Sequence, residues 1–159
     1  MSNKKHIAIV CGGDSSEHDV SLRSAAGIYS WIDKEQYNAT IVTIQGSNWE
    51  ALDDNNVDDS ILRDNTNAKW VPVDKNDFSF LHNGEKIRFD FAYITIHGTP
   101  GENGLLQGYL EMMHVPYSCC NVLAAALTFN KYACNHYLQD FGVRISPSIL
   151  LRRNMQRPA

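Results

Sequence analysis

Short apolar runs alternate with glycine-rich breaks and helical stripes along this chain. The first run, Ile7-Ala8-Ile9-Val10-Cys11, is bounded and rich in β-branched residues, the pattern of a strand buried on both faces. Gly12-Gly13 ends it. A polar stretch, Asp14-Ser15-Ser16-Glu17-His18-Asp19, follows, and then Val20, Leu22, Ala25, Ala26, Ile28, Tyr29 and Ile32 take up a helical period. The spacing predicts a helix from about Val20 or Ser21 to Trp31, with Asp19 or Ser21 as its cap. Tyr37–Ile44 predicts a second strand. Gln45–Asn67 is polar and reads as surface loop, with a short helix near Trp49–Leu52.

Further on, Trp70–Val73 reads as a short strand. Phe78–Leu81 and Lys86–Phe89 flank Asn83-Gly84, two residues that tolerate positive φ, so they predict a hairpin decorating the sheet. Phe91–Ile96 is another buried strand. It stops at His97-Gly98-Thr99-Pro100-Gly101-Glu102-Asn103-Gly104. Leu105, Leu106, Tyr109, Leu110 and Met113 then give helical spacing and a core-facing stripe. Val115–Ser118 reads as a short strand, Asn121–Leu127 and Lys131–Asp140 as helices, and Gly142 as the residue that closes the last one. Ser148–Leu151 reads as the opening strand of something further, and Arg152–Ala159 as unpacked tail. The order of elements implies a mostly parallel α/β sheet with helices on both faces and an inserted β-hairpin. The run Ser148–Leu151 gives the sequence the look of the first domain of a longer protein.

Composition narrows the partners. The 159 residues are 43% hydrophobic and 20% charged, enough for one substantial core. Net charge is −4 and no basic stripe is visible, which argues against nucleic acid. Ile7–Cys11 is too short for a signal-peptide core or a membrane span, so the chain reads as cytoplasmic with no membrane partner. The four cysteines show no Cys-x-x-Cys and read as reduced, mostly buried thiols. The acidic run Asp53–Asp59 lacks the spacing of a calcium loop and reads as solvated surface, so no metal ligand is assigned.

The two glycine turns carry the candidate chemistry. Each follows an apolar strand and precedes a helix, so in a parallel sheet both lie on the carboxyl edge and can face one crevice. The first offers Glu17 and Asp19. The second offers His97 and Glu102, with exposed amides at Gly98, Gly101 and Gly104. The acids of the first turn repel a diphosphate, and Gly-x-Gly-x-x-Gly is incomplete, so a nicotinamide oxidoreductase is disfavoured. A ligand bearing an ammonium suits Glu17 better. Each residue also has a plain structural reading. Glu17 can serve the positive start of the helix, Asp19 can be an N-cap, and His18 can be a solvent-facing loop residue. His97 can bond its own backbone, Glu102 can be a first-turn acid, and Lys131 can be an exposed helix lysine.

The stretch Gly12–Ser21 (GGDSSEHDVS) resembles the GG-x-S-x-E-x-E/D-V-S motif of D-alanine–D-alanine ligases. His97–Gly108 (HGTPGENGLLQG) is similar to their HG-x-x-GEDG-x-x-QG motif. Pro116-Tyr117 and Asn121–Lys131 match a segment ending in a D-K pair. The resemblance covers most of the chain outside Gln45–Asp90, and it implies a Rossmann-like, pre-ATP-grasp fold. It divides the chain into an amino-terminal substrate-binding domain, 1–146, and a remainder, 147–159, that is either the start of a truncated ATP-grasp region or disordered tail.

The family joins two D-alanines for peptidoglycan, using ATP and magnesium. One D-alanine carboxylate is phosphorylated, the amine of the second attacks, and phosphate leaves. The resemblance implies that Glu17 meets the ammonium of the first D-alanine, Val20 its methyl side and His97 its carboxylate. It gives Glu17 and His97 catalytic roles and puts Lys131 on ATP phosphate. A homodimer is also implied. Asn103 and Asn130 stand where the family usually has aspartate. The family's central and C-terminal ATP-grasp regions are absent from this chain, so the chain alone is expected to be inactive. A stand-alone small-ligand binding or interaction module of the same fold is the alternative.

Overall fold

The computed structural model describes residues 4–53 and 68–155. Its centre is β1 (Lys5–Gly12), buried from Ile7 onward. β1 lies between two parallel neighbours, β2 (Tyr37–Gln45) and β7 (Phe91–Ile94), with Ile9 opposite Ile41 on one side and Tyr93 on the other. β3 (Asn48–Leu52) and β4 (Trp70–Pro72) extend the sheet antiparallel, giving the order β4-β3-β2-β1-β7. The hairpin β5 (Ser79–His82) and β6 (Glu85–Arg88) forms a separate two-stranded sheet. Its turn is Asn83-Gly84 with both residues at positive φ, as the pair predicts.

Alternation along β1 divides the core. Ile9 and Cys11 face Ala25 and Tyr29 of α1 (His18–Trp31). Ala8 and Val10 face Leu106 and Leu110 of α2 (Leu105–Met112), with Phe78, Phe80 and Phe89 alongside. Helices therefore cover both faces. Trp49, Phe78 and Tyr109 meet edge-to-face and fix α2 against β3 and the residue that enters the hairpin. α3 (Val122–Phe129) and α4 (Lys131–Gln139) follow, capped by the side chains of Asn121 and Asn130. Gly142, at φ +75°, ends α4 while Val143 N–H returns to the Leu138 carbonyl.

Several expectations are corrected. Trp49–Leu52 is strand, not helix, because the tight turn at Gly46-Ser47 folds it back onto β2, where Trp49 pairs with Ile44. α1 begins at His18, and neither Asp19 nor Ser21 caps it: Glu17 occupies the cap position without a side-chain bond. Val115–Ser118 contributes only one parallel bridge, Tyr117 to Ala92, since Pro116 has no N–H to continue a ladder. β7 stops at Ile94, two residues early. Residues 148–151 form no strand, and no helix or strand occurs anywhere in 143–155. The thiols are not mostly buried: Cys11 is buried, Cys134 half-buried, and Cys119 and Cys120 exposed, all four free. Residues 54–67, which hold most of the acidic run, and the last four of the tail lie outside the described residues. Among the described residues no helix is long and apolar enough to cross a membrane.

Candidate functional site

The two glycine turns meet at the carboxyl edge of the sheet. Gly12 and Gly13 both sit at φ +93°, and a Cβ on Gly13 would stand 2.5 Å from Ile96 Cγ2, so the first turn lies directly on the second. Asp14 N–H donates to the Thr99 carbonyl at 2.9 Å. The Ser15 hydroxyl donates to the His97 carbonyl at 2.8 Å and accepts from Glu17 N–H at 3.2 Å. Gly98, at φ +73°, leaves room for Ser15, whose Cβ lies 3.0 Å from where a Gly98 Cβ would stand.

A second connection runs beneath the turns. Ser21 is fully buried, and its hydroxyl accepts Gly12 N–H at 3.0 Å and donates to the Thr95 carbonyl at 2.9 Å. Thr95 Oγ1 in turn donates to the Val10 carbonyl at 3.1 Å. β1, α1 and the end of β7 are thus held by hydroxyls whose partners lie outside their own elements. Asp14 Oδ1 accepts from Gly46 N–H at 2.7 Å and ties the β2–β3 turn to the same edge.

Glu17 is exposed, and its carboxylate has no hydrogen bond or ion pair among the described residues. Val20, one turn along α1, is 42% exposed. His97 is half-exposed, with Nδ1 3.9 Å from Glu102 Oε1. Both groups face water, so this pair is weak. Glu102 uses its other oxygen to accept Gly98 N–H at 2.9 Å. That corrects the expectation of open amides: Gly98 N–H is occupied, and Gly101 and Gly104 are buried. His18 is corrected too. It is half-buried, with Nδ1 3.1 Å from the Gly13 carbonyl.

His97 and Glu102 line a cavity of about 520 Å³ between α1 and the end of β7, with Arg23, Trp31 and Tyr93. Lys131 lines a neighbouring cavity of about 500 Å³ with Gln107, Cys119 and Cys120, and Glu102 belongs to both. Glu17 and Val20 border neither. Gln107 is buried and donates to the Gly101 carbonyl at 2.5 Å and to Cys119 Sγ at 3.1 Å, which ties the second turn to the segment before α3. Partial burial pushes the Cys119 thiol up, and the Gln107 bond opposes that shift. Another cavity, about 410 Å³, lies at the opposite edge beside His6, Asp53 and His82, far along β1 from both turns.

Both substituted asparagines have local partners. Asn130 Oδ1 accepts Ala133 N–H at 3.0 Å, a cap that an aspartate would also form. Asn103 Nδ2 reaches Thr99 Oγ1 at 3.0 Å and its Oδ1 accepts Leu105 N–H at 3.2 Å. Sequence reasoning missed Ser15, Ser21, Thr95 and Gln107. Their partners are backbone groups away from their own element or, for Gln107, the Gly101 carbonyl and the Cys119 thiol on either side of its helix, so no local pattern points to them. Only the short polar residues inside otherwise apolar or glycine-rich runs were a signal.

The family model for the D-ala D-ala ligase N-terminus matches residues 6–120. A D-alanine–D-alanine ligase of Bacteroides thetaiotaomicron is 62% identical over 150 residues, which cover 94% of this chain and 43% of that protein. A crystal structure of the VanG D-Ala:D-Ser ligase of Enterococcus faecalis is similar with TM-score 0.80 at 26% identity, over 95% of this chain and 46% of that one. A Bacillus anthracis D-alanine–D-alanine ligase solved with ATP shares the fold, with TM-score 0.66 at 23% identity over 97% of this chain and 42% of that one. The chain therefore spans less than half the length of these relatives.

Proposed function

The chain belongs to the D-alanine–D-alanine ligase amino-terminal family, and from that premise we propose that it supplies the first-substrate half of an ATP-dependent ligase joining two D-alanines for peptidoglycan. The observation that carries this reading is the joint between the two turns. It presents a carboxylate without a partner among the described residues, Glu17, and a partly open imidazole, His97, on one edge of the sheet.

An α-amino acid carries its cation and its anion one carbon apart, so a site for it needs an acid and a donor held at fixed spacing. Glu17 pairs with the ammonium, Val20 offers apolar surface to the methyl group, and His97 donates to the carboxylate. ATP, with magnesium, supplies the phosphoryl group that activates that carboxylate. Lys131 suits a phosphate: it is exposed at the first position of α4, its backbone is fixed by the Asn130 cap, and its ammonium has no partner among the described residues. Residues outside this chain hold magnesium and the rest of the nucleotide.

In this reading residues 1–146 are the substrate domain and 147–159 lead into the ATP-grasp region. The lack of helix or strand in 143–155 supports that division. The reaction belongs to the cytoplasm, and the enzyme works as a homodimer, as the family resemblance implies. The test is Glu17→Gln in the full-length ligase. First-site KM for D-alanine is expected to rise at least tenfold, since a charge-assisted bond is worth roughly 1.5–3 kcal/mol. An unchanged KM rejects the assignment.

A further inference from the structure

Four contacts join the turns, and three of them do not need a hydroxyl. Gly13 packs on Ile96, Asp14 N–H meets the Thr99 carbonyl, and Gly98 lies under Ser15. The fourth is the Ser15 hydroxyl, and it alone continues onward: it donates to the His97 carbonyl and accepts Glu17 N–H. One oxygen thus touches the backbones of both residues assigned to the substrate's charged ends. Among the described residues Glu17 has no side-chain partner to hold it, and His97 has only a distant, half-exposed Glu102. What sets their separation is the backbone of each, and the Ser15 hydroxyl is the atom common to both.

We propose that Ser15 is a positioning residue that sets the spacing between Glu17 and His97, and so restricts the half-site to amino acids whose ammonium and carboxylate are one carbon apart. This rests on the proposed roles of those two residues. Loss of the hydroxyl leaves the Asp14–Thr99 backbone bond and the packing of Gly13 on Ile96 and of Gly98 on Ser15 Cβ, so the turns stay joined while the spacing loosens. A β-amino acid, one carbon longer between its charges, then fits with less penalty.

The test uses the full-length ligase as wild type, Ser15→Ala, Ser15→Thr and Glu17→Gln. First-site KM and kcat are measured for D-alanine, alongside competition by β-alanine and the melting temperature. Ser15→Ala is expected to raise first-site KM about three- to tenfold, the range of one neutral hydrogen bond. kcat should stay within about twofold, and β-alanine should become a better competitor relative to D-alanine. Ser15→Thr, which keeps the hydroxyl, should restore discrimination. If Ser15→Ala leaves KM and β-alanine discrimination unchanged while Glu17→Gln raises KM, the inference fails and the site assignment stands. If Ser15→Ala lowers activity only in step with melting temperature and Thr does not rescue it, the residue is merely structural and the inference fails. If Glu17→Gln has no effect, both readings fail.

Discussion

The buried hydroxyl of Ser21 accepts the Gly12 amide at 3.0 Å, nine residues back along the chain, exactly where β1 gives way to the first glycine turn. The same oxygen donates to the Thr95 carbonyl, so one side chain joins the ends of two adjacent parallel strands. Ser21→Ala would leave Gly12 N–H buried and unsatisfied. The expected cost is about 1–3 kcal/mol, read as a lower urea midpoint with an unchanged slope. A midpoint equal to wild type would show that the amide finds another partner.

Gly13→Ala and Gly46→Ala form a matched pair. Both glycines have positive φ, but a Cβ on Gly13 would meet Ile96 at 2.5 Å, whereas one on Gly46 would meet nothing within 4 Å. Gly46→Ala is expected to cost about 1–2 kcal/mol, from backbone conformation alone. Gly13→Ala should cost about 1–3 kcal/mol more, because Ile96 or the turn must shift. Thermal melts of both variants check the difference, and equal melting temperatures would mean that the turns separate easily.

Asp53 closes β3 against His82 of the hairpin and Lys69, with its side chain almost wholly buried. Burial pushes its carboxyl up, but the bonds from Lys69 and His82 outweigh that and hold it below the usual carboxylate range. A depressed folded-state value contributes stability above the ordinary Asp value of about 3.9 and loses it as pH falls through the lower folded value. Asp53→Asn should therefore be less stable than wild type at pH 7, with the gap closing below about pH 4. Denaturant titrations at pH 7, 5 and 3 measure this. A constant gap would assign the effect to shape rather than charge.

This chain by itself is expected to release no phosphate from ATP in the presence of D-alanine. The residues proposed for it account for one substrate and a single phosphate contact, and it spans 43% of its Bacteroides thetaiotaomicron relative. A coupled phosphate assay at millimolar D-alanine decides the matter. Turnover would mean that the site here is complete.

Local pattern made the frame legible. The switch from the Ile7–Cys11 run to the helical stripe marked β1, the turn and α1, and Asn83-Gly84 marked the hairpin. The meeting of the two turns followed from parallel topology. Trp49–Leu52 was misread because Trp-Glu-Ala-Leu is a fair helix former on its own, and its pairing with β2 depends on a turn that reveals no direction by itself. Ser21 was misread as a possible cap, and Ser15 was passed over, for a different reason. Ser21 suits a helix start by type, yet its oxygen serves Thr95, 74 residues away, and Ser15 serves His97, 82 residues away. Side chains that bond distant backbone leave no periodic trace.

The hairpin pairs with no strand of the main sheet, and its His82 end borders the cavity of His6 at the start of β1. The Asn83-Gly84 tip is therefore at the end of the molecule away from both glycine turns, and a Cβ on Gly84 would touch nothing within 4 Å. That tip is the natural attachment point for a fluorophore or a surface tether. Binding at the carboxyl edge could then be followed in an immobilised protein whose two glycine turns stay clear.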